Sequence, residues 1–246
     1  MIAIRAAREG DSNAIARVHY VALDRFNDFY AAFFERHPRD ILPLSTRANL
    51  KDPKNRILVA TLPKTDAVVG FIKYNIVEAT ETLNAPTPAS LIQPAQSQPA
   101  VQPFFAIKAH MKELWECFGH PRDDEMDECY AKAVNGQRHS YVKSIMVDPE
   151  NQRKGIGAQL LQTVIHISDS EGIPTFLVAS AEGYGLYKRL GFEDIGTWNI
   201  DNDHWSREIV QHEKKLGITG HEQLIEQYRG TSEIERYMMR WRKEEQ

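Results

Sequence analysis

The sequence predicts an α/β (α+β) protein built on a mixed, mostly antiparallel twisted sheet flanked by helices. Three observations carry that expectation. Apolar runs at residues 57–60 and 68–74 flank the turn-prone Pro63-Lys64-Thr65-Asp66 and read as a hairpin. Residues 141–179 run in the order strand, glycine-bearing loop, helix, short apolar segment, which is the order of a crossover to a buried parallel strand. Two further strand-like segments, residues 192–200 and 237–241, lie near the C-terminal end.

Taken in order, Ile2 and Ile4 alternate with small or polar neighbours, as a first strand does. Asp11-Ser12 offers an N-cap, and Ile15, Val18, Val21 and Ala22 follow at helical spacing. Phe26, Phe29, Tyr30, Phe33 and Phe34 extend an aromatic helical stripe to His37-Pro38. Such a stripe suits core or lid packing, with the lining of a ligand pocket as the alternative. Pro86, Pro88, Pro94, Pro99 and Pro103, set among Ala, Ser and Gln, predict a loop or mobile linker. Beyond it, Phe104, Ile107, Met111, Leu114, Trp115 and Phe118 recur as on an amphipathic helix, and a separate acidic stretch, residues 123–128, leads into Ala131 and Val134.

The strand over residues 141–147 is followed by a Pro149-Glu150 turn and the loop Gln152-Arg153-Lys154-Gly155-Ile156-Gly157. A helix is expected over residues 158–168, with Leu160, Leu161, Val164, Ile165 and Ile167 on its buried side, and Gly172-Ile173-Pro174 closes that unit. A short helix from Tyr184 to Leu190 ends at Gly191, which suits a left-handed C-terminal cap. The last two strands enclose an insert with its own helix near Glu222–Tyr228. No internal repeat is visible. The expected organisation is one domain over residues 1–246 with a proline-rich and helical insert at about 84–137.

Composition narrows the function classes. The chain has 246 residues, 42% of them hydrophobic and 26% charged, with a net charge of −4. It can bury a core, and an acidic balance argues against nucleic-acid binding as its main business. Cys117 and Cys129 are too few for a disulfide scaffold and lack zinc-site spacing, as do His204, His212 and His221. Neither a signal-peptide pattern nor a bilayer-length apolar run is present, so a cytoplasmic protein with no membrane partner and no metal is expected.

The hexapeptide at 152–157 carries the chemistry. Glycines at a strand-to-helix turn admit a ligand close to the backbone, because no Cβ intervenes. The free N–H groups and positive dipole end of the helix then favour phosphate. Arg153 and Lys154 add positive charge. The lysine-serine/threonine ending of a nucleotide P-loop is absent, and so is the third glycine of a dinucleotide fingerprint.

Over residues 144–161, from Ser144 through Asp148-Pro149-Glu150-Asn151 and the glycine loop to Leu161, the chain resembles the GNAT superfamily of N-acetyltransferases. The resemblance continues through Ala179-Ser180-Ala181-Glu182-Gly183-Tyr184-Gly185-Leu186-Tyr187-Lys188-Arg189-Leu190-Gly191-Phe192, whose Leu-Tyr-x-x-Leu-Gly-Phe ending is characteristic of that family. It implies a GNAT-like sheet whose central parallel strands splay apart, acetyl-CoA as cosubstrate and a small-molecule amine as acceptor. Ile145, Met146 and Val147 would pair with the pantetheine arm through their backbone. Gln152, Arg153, Lys154, Gly155, Ile156 and Gly157 would hold the pyrophosphate. Tyr187 would be the general acid toward the departing thiolate.

Two departures stand out. Ser180 occupies the position where many relatives carry a cofactor-contacting asparagine, and Tyr141 the position where some carry a glutamate base. A phenol titrating near 10 is a poor base at neutral pH. The base is therefore unassigned, with Glu78, His139 and Glu182 as weak candidates. An acyl-CoA-binding module without turnover, or transfer to a protein N-terminus or lysine, are the alternatives. The insert could form a lid or a homodimer surface, and the acidic run could attract a cationic amine.

Overall fold

A computed structural model describes residues 2–79 and 104–241. The strands are β1 (Ala3–Ala6), β2 (Arg56–Thr61), β3 (Val68–Val77), β4 (His139–Val147), β5 (Thr175–Ala179), β6 (Glu193–Asp201) and β7 (Ser232–Arg240). They form a 7-stranded sheet in the order β1-β2-β3-β4-β5-β7-β6. β4 and β5 are parallel, and every other neighbouring pair is antiparallel. The expected mixed, mostly antiparallel sheet is what the chain forms.

Helices cover both faces: α1 (Ser12–Ala22), α2 (Asp24–Phe33), α3 (Pro38–Lys51), α4 (Lys112–Val134), α5 (Ile156–Ser170), α6 (Ala181–Arg189), α7 (Asn202–Lys215) and α8 (Gln223–Gln227). Leu160, Leu161 and Val164 of α5 pack with Ile72 and Val142 on one face. On the other, Ile15 and Val18 of α1 meet Val59 and Phe71, while Met126 and Tyr130 of α4 meet Tyr141 and Phe176. The alternation of β4 follows from its period of two, since Tyr141 and Val142 enter different clusters.

The aromatic stripe of α2 resolves to core. Phe29 and Phe33 are buried against Phe118 of α4, Tyr228 beyond α8 and one another, with ring centroids 5.6–5.8 Å apart. Each such buried ring stabilises by roughly 1.5–3 kcal/mol, so this cluster fixes the helical layer over its part of the sheet.

Four local readings need correction. Phe104 and Ile107 are not helical: Ile107 makes an isolated antiparallel bridge to Phe34, and a 3-10 turn at Ala109–Met111 precedes α4. The acidic stretch does not begin a second helix, because α4 runs unbroken through Gly119 and Pro121 to a left-handed cap at Asn135 (φ 46°). α3 was not expected. Its signals are Pro38 at the first turn, His37 accepting from the Arg39 amide at 3.1 Å, and buried Ile41, Leu42, Ser45 and Thr46 at helical spacing, but Pro43 within it obscures the pattern. α7 was likewise missed inside the C-terminal insert, although Asp201 caps it through the His204 amide at 2.9 Å. The proline-rich run at 86–103 lies outside the described residues. No described helix is long and apolar enough to cross a membrane.

Candidate functional site

The parallel pair is short. β4 and β5 register only through Ser140↔Thr175, Tyr141↔Phe176 and Val142↔Leu177. Beyond Val142, β4 keeps its β3 partner, with Ile72↔Ile145, Phe71↔Met146 and Gly70↔Val147, while β5 is no longer paired with it. A bulge at Lys73/Tyr74 marks the same level of the sheet. Lys143 to Val147 thus offer a half-buried strand edge along a wedge-shaped gap, the geometry for a ligand that adds as a further strand.

The turn closing β4 is held by named contacts. Asp148, buried, accepts the Glu150 amide at 3.1 Å, and its own N–H donates to the Val69 carbonyl at 2.9 Å. Arg17 of α1 pairs with its carboxylate at 2.7 Å. The Gln152 amide donates to the Val147 carbonyl at 3.1 Å. Lys154 folds back, its ammonium donating to the Glu150 carbonyl at 2.8 Å and the Asn151 side chain at 3.1 Å. Its charge therefore braces the turn, and both Arg153 and Lys154 are exposed.

Backbone conformation explains the glycine. Arg153 (φ 62°) and Gly155 (φ 78°) are left-handed on either side of Lys154, the alternation from which anion-binding nests are made. α5 begins immediately after, and its first N–H groups have no intrahelical partner. A Cβ at Gly155 would meet nothing nearer than the Gln159 amide at 3.9 Å, so it is the positive φ that requires glycine here. Exposed donors, a dipole end and a cationic rim fit a phosphate group.

Across the gap, α6 follows β5. Ser180 is its exposed N-cap and makes no side-chain capping bond, which leaves its hydroxyl available to a ligand. Tyr187 is buried, packs edge-on to Phe192 with centroids 6.0 Å apart, and its hydroxyl makes no hydrogen bond to the described protein. Burial raises its pKa well above the ordinary phenol value, so it stays protonated at neutral pH. Gly183 sets the ring's place: a Cβ there would lie 2.6–2.8 Å from the Tyr187 ring and hydroxyl. That constraint was missed in the sequence, where Gly183 is one motif residue among many.

The weak base candidates do not converge on the gap. Tyr141 is buried against Tyr130 and Phe176, and burial raises its pKa. His139 sits at the opposite end of β4, with Nε2 at 2.6 Å from the Tyr130 hydroxyl and Nδ1 at 2.7 Å from the Gln137 carbonyl, and burial lowers its pKa. Glu78 pairs with Arg138 at 2.8 Å. Glu182 lies exposed in the first turn of α6. In the acidic stretch, Asp123 pairs with its neighbour Arg122 at 2.9 Å.

A cavity on the α1 face, mainly apolar with a few polar groups, is marked by no motif in the sequence. It measures about 90 Å³ and lies between α1, α3 and the β2–β4 strands, with Phe105 on its lining. Lys73, Ser144 and His19 reach it. Burial, with Lys143 adding repulsion, pushes the Lys73 ammonium down to about 8. Burial, then Lys73, pushes His19 down to about 4, so it is neutral at physiological pH. A lysine flanked by Phe71-Ile72 and Tyr74 in an apolar strand was the available signal.

A strand-edge gap thus lies beside a helix start that favours phosphate. Residues 121–194 match the family model described as acetyltransferase (GNAT) domain. Over that stretch the chain is similar to the GNAT acetyltransferases. Its fold is similar to that of mosquito arylalkylamine N-acetyltransferase like 5b, with a TM-score of 0.59, 13% identity, and coverage of 98% of this chain and 99% of that one. It is also similar to histone acetyltransferase HPA2 and related acetyltransferase from Corynebacterium glutamicum, with a TM-score of 0.54, 15% identity, and coverage of 99% and 98%. At such identities the likeness speaks for the fold alone. No curated protein sequence matches the chain.

Proposed function

We propose that this protein is an N-acetyltransferase that moves the acetyl group of acetyl-CoA onto a small primary amine within a ternary complex. The observation that carries the proposal is the continuity of three features along one gap. They are the unpaired edge of Ile145, Met146 and Val147, the donor-rich turn from Gln152 to Gly157, and the unbonded Tyr187 hydroxyl. The edge suits the amide-bearing pantetheine arm and the turn suits the linked phosphates. Ser180 has a free hydroxyl at the head of α6 for a further polar contact.

In the reaction, the neutral amine nitrogen attacks the thioester carbonyl carbon, the C–N bond forms and the C–S bond breaks. A backbone N–H near Val147 can polarise the carbonyl oxygen as charge develops on it. Tyr187, held protonated by burial, donates a hydrogen bond to the departing sulfur. Its raised pKa suits it better to stabilising the thiolate by that bond than to surrendering the proton early. No carboxylate base is required if the ammonium loses one proton to water before attack and the proton that the nitrogen sheds after attack ends on the departing sulfur, directly or through water; the rest of the rate comes from positioning.

A small acceptor is supported by the narrowness of the cavity on the α1 face and by Phe105 on its lining. The test is release of free CoA thiol from acetyl-CoA with a broad amine panel spanning polyamines, arylalkylamines, amino acids, aminoglycosides and peptides. Thiol release with at least one small amine is the expected result. Calorimetric binding of acetyl-CoA with no thiol release on any acceptor would leave a binding module instead, and turnover confined to peptides would move the acceptor class to proteins.

A further inference from the structure

The cavity on the α1 face has one cation, Lys73, and no anion on its lining; its other polar groups are neutral, from His19, Ser45, Thr46, Asn49 and Ser144. Lys73 brings an ammonium and has no carboxylate partner among the described residues. Ser144 brings a hydroxyl. Asn49 already accepts from the Asn55 amide through its side-chain oxygen at 3.1 Å, which leaves its NH₂ to donate. Ser45 is turned away, its hydroxyl bonding to the Leu42 carbonyl at 3.2 Å. The remaining surface is largely apolar, from Ile15, Leu42, Ile57 and Phe71. A lone ammonium among such side chains is costly unless an anion joins it. The depressed Lys73 pKa is the same cost seen in protonation.

The position of this cavity is informative. Lys73 and Ser144 are register partners across β3 and β4. Ser144 lies two residues past Val142, where β4 loses β5, and so stands at the mouth of the gap. Met146, two residues further on, packs with the α1 cluster, whereas Ile145 and Val147 pack toward α5. The cavity therefore opens on the face opposite the helix that would hold phosphate, the side from which an acceptor would approach a thioester in the gap.

We propose that this cavity receives a carboxylate carried by the acceptor, with Lys73 as its counter-ion and Ser144 and Asn49 as neutral donors. The acceptors are then amino acids or similar amino-carboxylates, an assignment that rests on the acyl-transfer reading above. Bare monoamines and polyamines leave the ammonium unpaired and are poorer substrates. The charged and titratable groups facing Lys73 are His19 from α1 and Lys143 from β4, with Asp52 acting on Lys143. Neutral His19 does not compete for the carboxylate as an anion would. Binding of the carboxylate weakens as pH rises through the titration of Lys73.

Paired acceptors provide the test, each an amino acid and the amine formed by removing its carboxyl group. Expected is a kcat/KM at least tenfold higher for the carboxylate-bearing member. In Lys73→Met that preference disappears, chiefly through a raised KM for the amino acid, so that the two members become similar substrates; Lys73→Arg keeps part of it. Turnover without a carboxylate preference, or an equal loss on both members in Lys73→Met, overturns the proposal. A second readout needs no turnover: NMR of ¹³Cε-labelled lysine in the intact protein. An N-acetyl amino acid should raise the Lys73 titration midpoint, and the matching N-acetyl amine should not. No movement with any carboxylate rejects the site. Movement without thiol release on any acceptor keeps the carboxylate site and rejects the acyltransferase reading.

Discussion

The two faces of the β4 strand are built on different principles. On the α5 side, the candidate ligand contacts are backbone groups: the edge of 145–147, the left-handed Gly155 and the first amides of α5. On the α1 side, the cavity is defined by side chains from α1, α3, β3 and β4, which are distant in sequence. A backbone site tolerates almost any side chain and is betrayed by its glycines and spacing. A side-chain site is free to vary and is written nowhere as a motif. In the proposed reading, the common chemistry sits on one face and selectivity on the other.

That contrast can be broken most sharply at Tyr187, the proposed hydrogen-bond donor to the thiolate. Tyr187→Phe should lower turnover on the order of a hundredfold while leaving CoA affinity unchanged, as steady-state kinetics beside calorimetry would show. Equal rates would remove the hydroxyl from the chemistry. Gly183→Ala sharpens the same point, since its Cβ must displace the Tyr187 ring. Turnover should fall with little loss of CoA binding.

Next in size is the backbone face itself. Gly155→Val places a β-branched residue at φ 78°, a conformation costing roughly 1–3 kcal/mol. CoA affinity should fall by about tenfold or more, and acceptor preference should not change. A change in preference without loss of CoA affinity would mean that the two faces are not separable.

Smaller still is the brace between them. Asp148→Ala removes the cap at the Glu150 amide and the partner of Arg17 in one step. Thermal or denaturant unfolding should show a loss of about 1–2 kcal/mol, and CoA binding should weaken in parallel.

The α1 face carries a stability signature of opposite sign. The folded pKa of Lys73, about 8, lies below its ordinary 10.5, so the folded state releases that proton more readily than the unfolded chain. The penalty is fully present below pH 8 and fades as pH rises toward 10.5. Lys73→Met should therefore stabilise the protein at pH 7, by about 1–3 kcal/mol, with the gain shrinking above pH 8. Unfolding at two pH values checks it. A gain independent of pH would mean that Lys73 is not held as a desolvated cation.

The same contrast explains what the sequence disclosed. The β2–β3 hairpin, the β4–α5–β5 crossover and the Gly191 cap were legible because period, glycine and turn chemistry are local. The apolar stretch to Phe118 and the acidic stretch at 123–128, read separately in the sequence, are one helix, since buried Phe118, Met126 and Tyr130 hold it on both sides of Pro121. α3 and α7 were hidden by an internal proline and by a polar composition whose buried residues are Ser206, Ile209 and Glu213. Lys73 was visible as a charge in an apolar strand. Its link to His19, Ser144 and Asn49 exists only once α1 and α3 are packed against the sheet.

Amide NMR of the ¹⁵N-labelled protein tests the phosphate turn most directly, with CoA compared against pantetheine, which lacks the linked phosphates. If main-chain donors of the turn hold those phosphates, the resonances of Gly155, Ile156, Gly157 and Ala158 shift with CoA and barely respond to pantetheine. Saturable CoA binding that leaves those four resonances in place would contradict it.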